Sequence, residues 1–204
     1  MEQIKLESLA QVIGGKNMSR FEPIGVDDIS VKIITSKTIE EGLIIPNEIG
    51  EELFRSDILK DKEFLTKIGD ILIKLTSPFD AAIVTEEFEG CTYPAFVACI
   101  RPNAEVTGPD IYYLLAFLNS KEAKARLNSR VVGRTLPVLS LGPLREMMIP
   151  FPGKEVRKEI ASSYMNYLDF KLLTKKIFAL EKEKNDSYFG KYEESDGNYH
   201  EYNK

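Results

Sequence analysis

Histidine is almost missing from this sequence. One occurs in 204 residues, His200, in a polar stretch near the end. That argues against a catalytic triad built on histidine and excludes a zinc cluster of Cys and His ligands. Cysteine is nearly as scarce: Cys91 and Cys99 stand eight apart, outside any Cys-x-x-Cys pair. They read as buried thiols of a cytosolic protein, with a disulfide left open. No apolar run approaches the ~20 residues that span a bilayer, so no membrane association is expected. Met1–Lys5 has no basic region followed by an apolar stretch, and no secretory signal is expected. Enzymes that methylate amino groups of bases carry two prolines before an aromatic; Ser77-Pro78-Phe79 carries one, and no Gly-x-Gly opens a helix. No cofactor and no metal is expected.

What is present suits a globular chain with a core: 43% hydrophobic and 29% charged residues. The net charge of −5 speaks against a uniformly basic nucleic-acid binder. The charge is unevenly spread, however. Residues 40–63 carry net −5, residues 121–158 net +6, and the stretch from 183 onward net −3. Such polarity fits a nucleic-acid partner on one side, and it equally fits ordinary solvated faces.

Gln3 to Ile13 reads as a strand or short helix, broken by Gly14-Gly15-Lys16-Asn17. Short β-branched runs follow at 31–34 and 43–45, and Glu51 to Lys62 reads as an acidic helical turn or loop. Gly69-Asp70 is a turn feeding a strand through Leu75, with further strands at 81–85 and 93–101. Beyond Gly108 the pattern turns helical, with Pro109 at one helix start and Ser120 capping a second, basic helix. Met147 to Pro152 is strand-like. Lys154 to Asp186 then runs without proline or glycine, a helix of about 30 residues and about 45 Å. Ile160, Tyr164, Leu168 and Leu172 lie four apart, and Phe170, Leu173, Ile177 and Leu180 continue at spacings of three and four. The stripe Ile160, Tyr164, Leu168, Leu172, Ile177 and Leu180 extends further than a small domain covers, which points to a partner. The alternative is a helix folded back on its own domain. The expectation is an α+β chain: a mostly β domain with peripheral helices over 1–152, a long helix over 153–186, and a flexible polar tail over 187–204.

Pro109, Asp110, Glu122 and Lys124 spell a metal-dependent nuclease motif, but both halves fall on expected helices rather than adjacent strands. Lys16, Ser19 and Arg20 follow Gly14-Gly15 in a loop that loosely resembles a phosphate cradle without the full pattern. Lys74, Thr76 and Ser77 form a second donor-bearing loop, and recognition residues favour such loops. Arg130 and Arg134 continue a row begun by Arg126 at steps of four and suit phosphate positioning.

Four segments in order carry a resemblance. Lys5-Leu6-Glu7-Ser8-Leu9-Ala10 with Gly14-Gly15-Lys16 resembles the opening of the target-recognition domain of type I restriction–modification specificity subunits. Gly69-Asp70-Ile71-Leu72-Ile73 is similar to that family's Gly-Asp-Ile-Leu segment. Tyr113 to Lys121, with Leu118-Asn119-Ser120, resembles its helix pair. Gly133-Arg134-Thr135 through Leu139-Ser140, then Leu144 and Ile149-Pro150-Phe151-Pro152, resembles its closing segment. Gly153-Lys154-Glu155-Val156 departs from the family's Glu/Gln-rich helix start, and one recognition domain with one long helix resembles half a subunit. The resemblance implies a non-catalytic, cytoplasmic subunit that reads one half of a split target in double-stranded DNA. The long helix would act as a spacer and dock methyltransferase subunits, with the restriction subunit as a further partner; the apolar stripe on that helix separately points to a second copy of the chain as a partner. Two alternatives stand beside it: a metal-dependent nuclease, and a helix-mediated protein-interaction module that binds no DNA.

Overall fold

The computed structural model describes residues 2–46, 49–60, 62–131 and 137–197, with side chains in the last helix described as far as Tyr188. The strands are β1 (Gln3–Lys5), β2 (Ala10–Gly14), β3 (Asp28–Ile33), β4 (Ile39–Glu40), β5 (Leu43–Ile44), β6 (Gly50–Arg55), β7 (Ile71–Lys74), β8 (Ala81–Ile83), β9 (Val97–Pro102) and β10 (Met148–Pro150). The helices are α1 (Leu6–Leu9), α2 (Pro109–Leu118), α3 (Lys121–Asn128), α4 (Leu141–Arg145) and α5 (Lys154–Gly197). The class is α+β, with sheets followed by a long helix. The chain divides into two units, Met1–Tyr164 and Met165–Lys204.

The first unit is built on an antiparallel sheet in the order β2-β9-β7-β8. Its two middle strands read as continuous apolar runs because both their faces are covered. Ile71, Leu72, Ile73, Val97, Ala98, Cys99 and Ile100 are all fully buried. Cys91 and Cys99 are buried free thiols. On one face Ile34, Ile39, Phe88 and Tyr93 complete a core cluster. The helix α2 packs against β8 and buries Leu114, Leu115 and Leu118. Pro109 opens α2, and the Ser120 hydroxyl accepts the Ala123 amide at 3.1 Å to cap α3, as their positions in the sequence predict. A smaller cluster of Val31, Ile33, Phe54 and Ile58 lies under the β3–β6 ribbon.

The Gly69-Asp70 turn has a plain physical basis. Gly69 sits at φ +86°, a region that suits glycine. Asp70 accepts the Lys67 amide at 2.9 Å and both arms of Arg101 at 2.9 and 2.7 Å. Arg101 spends its remaining donors on the carbonyls of Glu63 and Leu65. A buried carboxylate needs such a partner, and this one ties the start of β7 to the end of β9.

Two expectations change. Residues 50–55 form the strand β6 rather than a helical turn or loop, in register with all of β3. The helix α5 continues past Asp186 to Gly197, so residues 187–197 are helical. No proline interrupts that stretch, Gly197 stands at its end, and Gly190 inside it costs a helix only ~1 kcal/mol.

Candidate nucleic-acid interface

Antiparallel pairing brings four chain segments to one end of the main sheet, where β2 and β7 finish and β8 and β9 begin. From β2 the chain continues through Gly15 and Lys16, whose amides donate to the carbonyls of Val97 (3.0 Å) and Tyr93 (2.9 Å). A Cβ on Gly15 would stand 2.0 Å from the Pro94 carbonyl oxygen, so only glycine fits there without a shift of the backbone. The turn Pro94–Val97 closes with an amide-to-carbonyl bond of 2.9 Å. Phe96 accepts the Leu75 amide at 2.9 Å, and Leu75 in turn accepts the Leu139 amide at 2.7 Å. Main-chain bonds thus clamp the Pro94–Phe96 turn between the β2 exit and the β7–β8 connection.

Four of the sequence-expected contacts, Lys16, Lys74, Thr76 and Ser77, lie at this end. Ser19 and Arg20 follow on a short 3-10 helix, Met18–Phe21, whose Met18 and Phe21 pack on the smaller cluster under β3–β6; both are exposed, and the Ser19 hydroxyl donates to Asn17 at 2.9 Å. Thr76 is half-buried and Ser77 exposed in the β7–β8 connection. Lys16 is present but turned inward. It is 7% exposed, donates to the Ile58 carbonyl, and lies 5.0 and 5.2 Å from the ring centres of Phe21 and Phe64. The Gly14-Gly15-Lys16 segment is therefore no phosphate cradle, because its amides are spent on the sheet and its ammonium on the smaller core.

Lys74 is likewise engaged. Its ammonium meets Asp80 at 3.0 Å, and Lys124 from α3 meets the same carboxylate at 2.6 Å. Burial alone would raise the Asp80 carboxyl; the two ammoniums outweigh it and hold the group below its ordinary range. This triad fastens the β7–β8 connection to α3.

Arg130 lies elsewhere. It is exposed at the end of α3, donates to the Pro143 carbonyl at 3.3 Å, and borders a cleft of about 350 Å³ with Gln3, Arg126, Ser129 and Met148. Arg126 does not join it as a free cation, since its guanidinium donates to the Met148 carbonyl and to Glu122. Arg134 falls outside the described residues. The spelled nuclease motif does not assemble: Asp110 is held by Arg157 at 2.7 Å, Glu122 by Arg126, and Lys124 by Asp80.

The expected stripe on α5 resolves into two faces. Ala161 and Leu168 are buried, and the Tyr164 hydroxyl accepts from Asn119 at 2.9 Å. Ile177 lies nine residues beyond Leu168, which at 100° per residue is about half a turn round the helix. It shares that opposite face with Phe170, Leu173 and Leu180, the run that the sequence spacing of three and four picks out. Their exposures are 71%, 58%, 61% and 65% in chain order from Phe170 to Leu180. The spacing is three, four and three residues, the pattern of a coiled-coil seam. Ile160 and Leu172 are partly exposed on the flanks. Phe96, 47% exposed at the sheet end, was also not legible as a site residue, because one aromatic in an apolar strand reads as core.

No helix among the described residues is long and apolar enough to cross a membrane. The family described as type I restriction modification DNA specificity domain matches residues 1–182. Among solved structures, the chain is similar to an HsdS subunit from Thermoanaerobacter tengcongensis, at 14% identity and a TM-score of 0.61, over 86% of this chain and 44% of that one. A chain solved in work on complex assembly and conformational transition of the type I R-M system matches at 15% identity and a TM-score of 0.57, over 86% and 40%. The S subunit of a type I restriction–modification system from M. genitalium matches at 15% and 0.53, over 85% and 40%. At these identities the likeness is one of fold. The chain spans less than half the length of these solved subunits. Comparison with curated proteins gives no match.

Proposed function

The chain belongs to the type I restriction–modification DNA specificity domain family, and we propose that its first unit reads one half of a split target in double-stranded DNA through the sheet end described above. What supports this is the frame of main-chain bonds at that end, which carries Thr76 and Ser77, together with the exposed Arg20 on the segment that leaves β2. Exposed donors on rigid loops are what base and phosphate contacts require. Lys16 and Lys74, spent internally, drop out of the contact set. Arg130 supplies a phosphate contact to one side, weakening cognate and random DNA alike when removed.

The chain contributes recognition and no catalysis. The acids of the spelled nuclease motif are committed to ion pairs on helices, which disfavours the nuclease reading. Methyltransferase and restriction subunits are the partners that the family assignment suggests, in the cytoplasm, where buried free thiols stay reduced. Two copies pair through the seam Phe170, Leu173, Ile177 and Leu180 in an isologous contact.

The test is electrophoretic mobility shift on random-sequence duplex DNA over a range of salt. Binding that weakens linearly with log salt, with a slope reduced by about one in Arg20→Ala, supports the reading. Binding absent at low salt, or a slope untouched by Arg20→Ala, removes this surface from consideration.

A further inference from the structure

Phe96 stands at the sheet end, between the exits of the two strands that flank β9. The segment carrying Ser19 and Arg20 leaves β2 on one side of the Pro94–Phe96 turn; Thr76 and Ser77 follow Leu75 on the other. Single exposed aromatics are ordinary on protein surfaces. Three features set Phe96 apart. Its own carbonyl is held by the Leu75 amide at 2.9 Å, so the residue cannot swing with a loose loop. The turn that carries it is locked from the other side by the Gly15 and Lys16 amides, and Gly15 leaves room for the Pro94 carbonyl that no side chain would. Its neighbours in sequence on the strand side, Val97 and Ala98, are fully buried, while Phe96 is 47% exposed. A rigid frame thus holds a half-exposed apolar ring next to the segment that carries the Thr76 and Ser77 hydroxyls, an apolar anchor with polar groups to one side.

Resting on the DNA reading above, we propose that Phe96 is a specificity-determining residue of this chain, packing its ring against the 5-methyl group of a thymine in the major groove of the half-site. A major-groove thymine offers one apolar feature, that methyl, and an aromatic ring is among the side chains that meet it. The flanking hydroxyls and Arg20 then bond base edges and phosphates around a contact that itself carries no hydrogen bond. The acidic balance of the chain is no obstacle, because this element of recognition needs no charge.

The experiment selects bound sequences from a random duplex library with the unmutated protein, Phe96→Ala and Phe96→Leu, then replaces each thymine of the selected half-site by uracil in turn. Thermal melting of each variant checks the fold. The expected result is one thymine whose replacement weakens the unmutated protein about fourfold, the worth of burying a single methyl group. Phe96→Ala loses the preference for that thymine and is indifferent to the uracil, Phe96→Leu keeps part of both, and all three bind random DNA with the same salt slope. If Phe96→Ala selects the same half-site with the same response to uracil, the inference is overturned while the DNA reading stands. Failure of the unmutated protein to bind any duplex overturns the DNA reading itself.

Discussion

Lys16 and Arg20 sit four residues apart and do opposite work. Lys16 is turned inward, with its ammonium on the Ile58 carbonyl and near the rings of Phe21 and Phe64. Lys16→Ala is therefore expected to lower the unfolding free energy by about 2 kcal/mol, from a lost charged hydrogen bond and lost packing, and to leave the salt slope of DNA binding unchanged. Arg20→Ala should show the reverse, a smaller slope and a stability within about 0.5 kcal/mol of the parent. Urea unfolding beside salt-dependent binding separates the two. Nothing in the string Gly14-Gly15-Lys16 announces this, because the reason for Gly15 is a carbonyl oxygen at residue 94. Asp80 carries a second prediction. Its carboxyl is held below the ordinary value of 3.8 in the folded chain, so its contribution is complete above that pH and disappears as the pH falls below it. Asp80→Asn should cost about 1–3 kcal/mol at pH 7, where Lys74 and Lys124 lose their shared anion, and flatten the decline in stability below the ordinary carboxyl value, measured by chemical unfolding.

Elements whose pattern follows from their own burial are legible in the sequence. β7 and β9 are apolar runs because both faces are covered, and α2 and α3 carry their start signals at Pro109 and Ser120. β6 is not legible, since its residues Gly50 to Leu53 are exposed and only Phe54 is buried; its pairing with Val31 and Ile33 of β3 makes it a strand. The stripe on α5 divides into two rows for a geometric reason. Steps of four follow one row of a helix, but joining Leu168 to Ile177 crosses to the other side. Two kinds of variant follow. Leu173→Asp with Ile177→Asp should convert a dimer into a folded monomer. Leu168→Asp, which puts a charge at a buried site, should destabilise the fold by about 3 kcal/mol or more. Light scattering and thermal melting on both distinguish the faces; a monomer in the unmutated protein at tens of micromolar, about where a moderate interface should hold, sinks the pairing.

At the scale of the molecule, the bonds that shape the sheet end run from main chain to main chain: Gly15 to Val97, Lys16 to Tyr93, Leu75 to Phe96, Leu139 to Leu75, Phe79 to Thr76. No side chain at 20, 76, 77 or 96 enters any of them. The frame is therefore indifferent to what those four positions carry. Randomising all four should leave most variants cooperatively folded, with melting temperatures close to the parent, while their preferred DNA sequences diverge. A surface of this kind can change its reading by point mutation without an intermediate that fails to fold. Drift among sequence targets then costs the organism only the mismatch between new and old recognition, and the scaffold places no toll on the path.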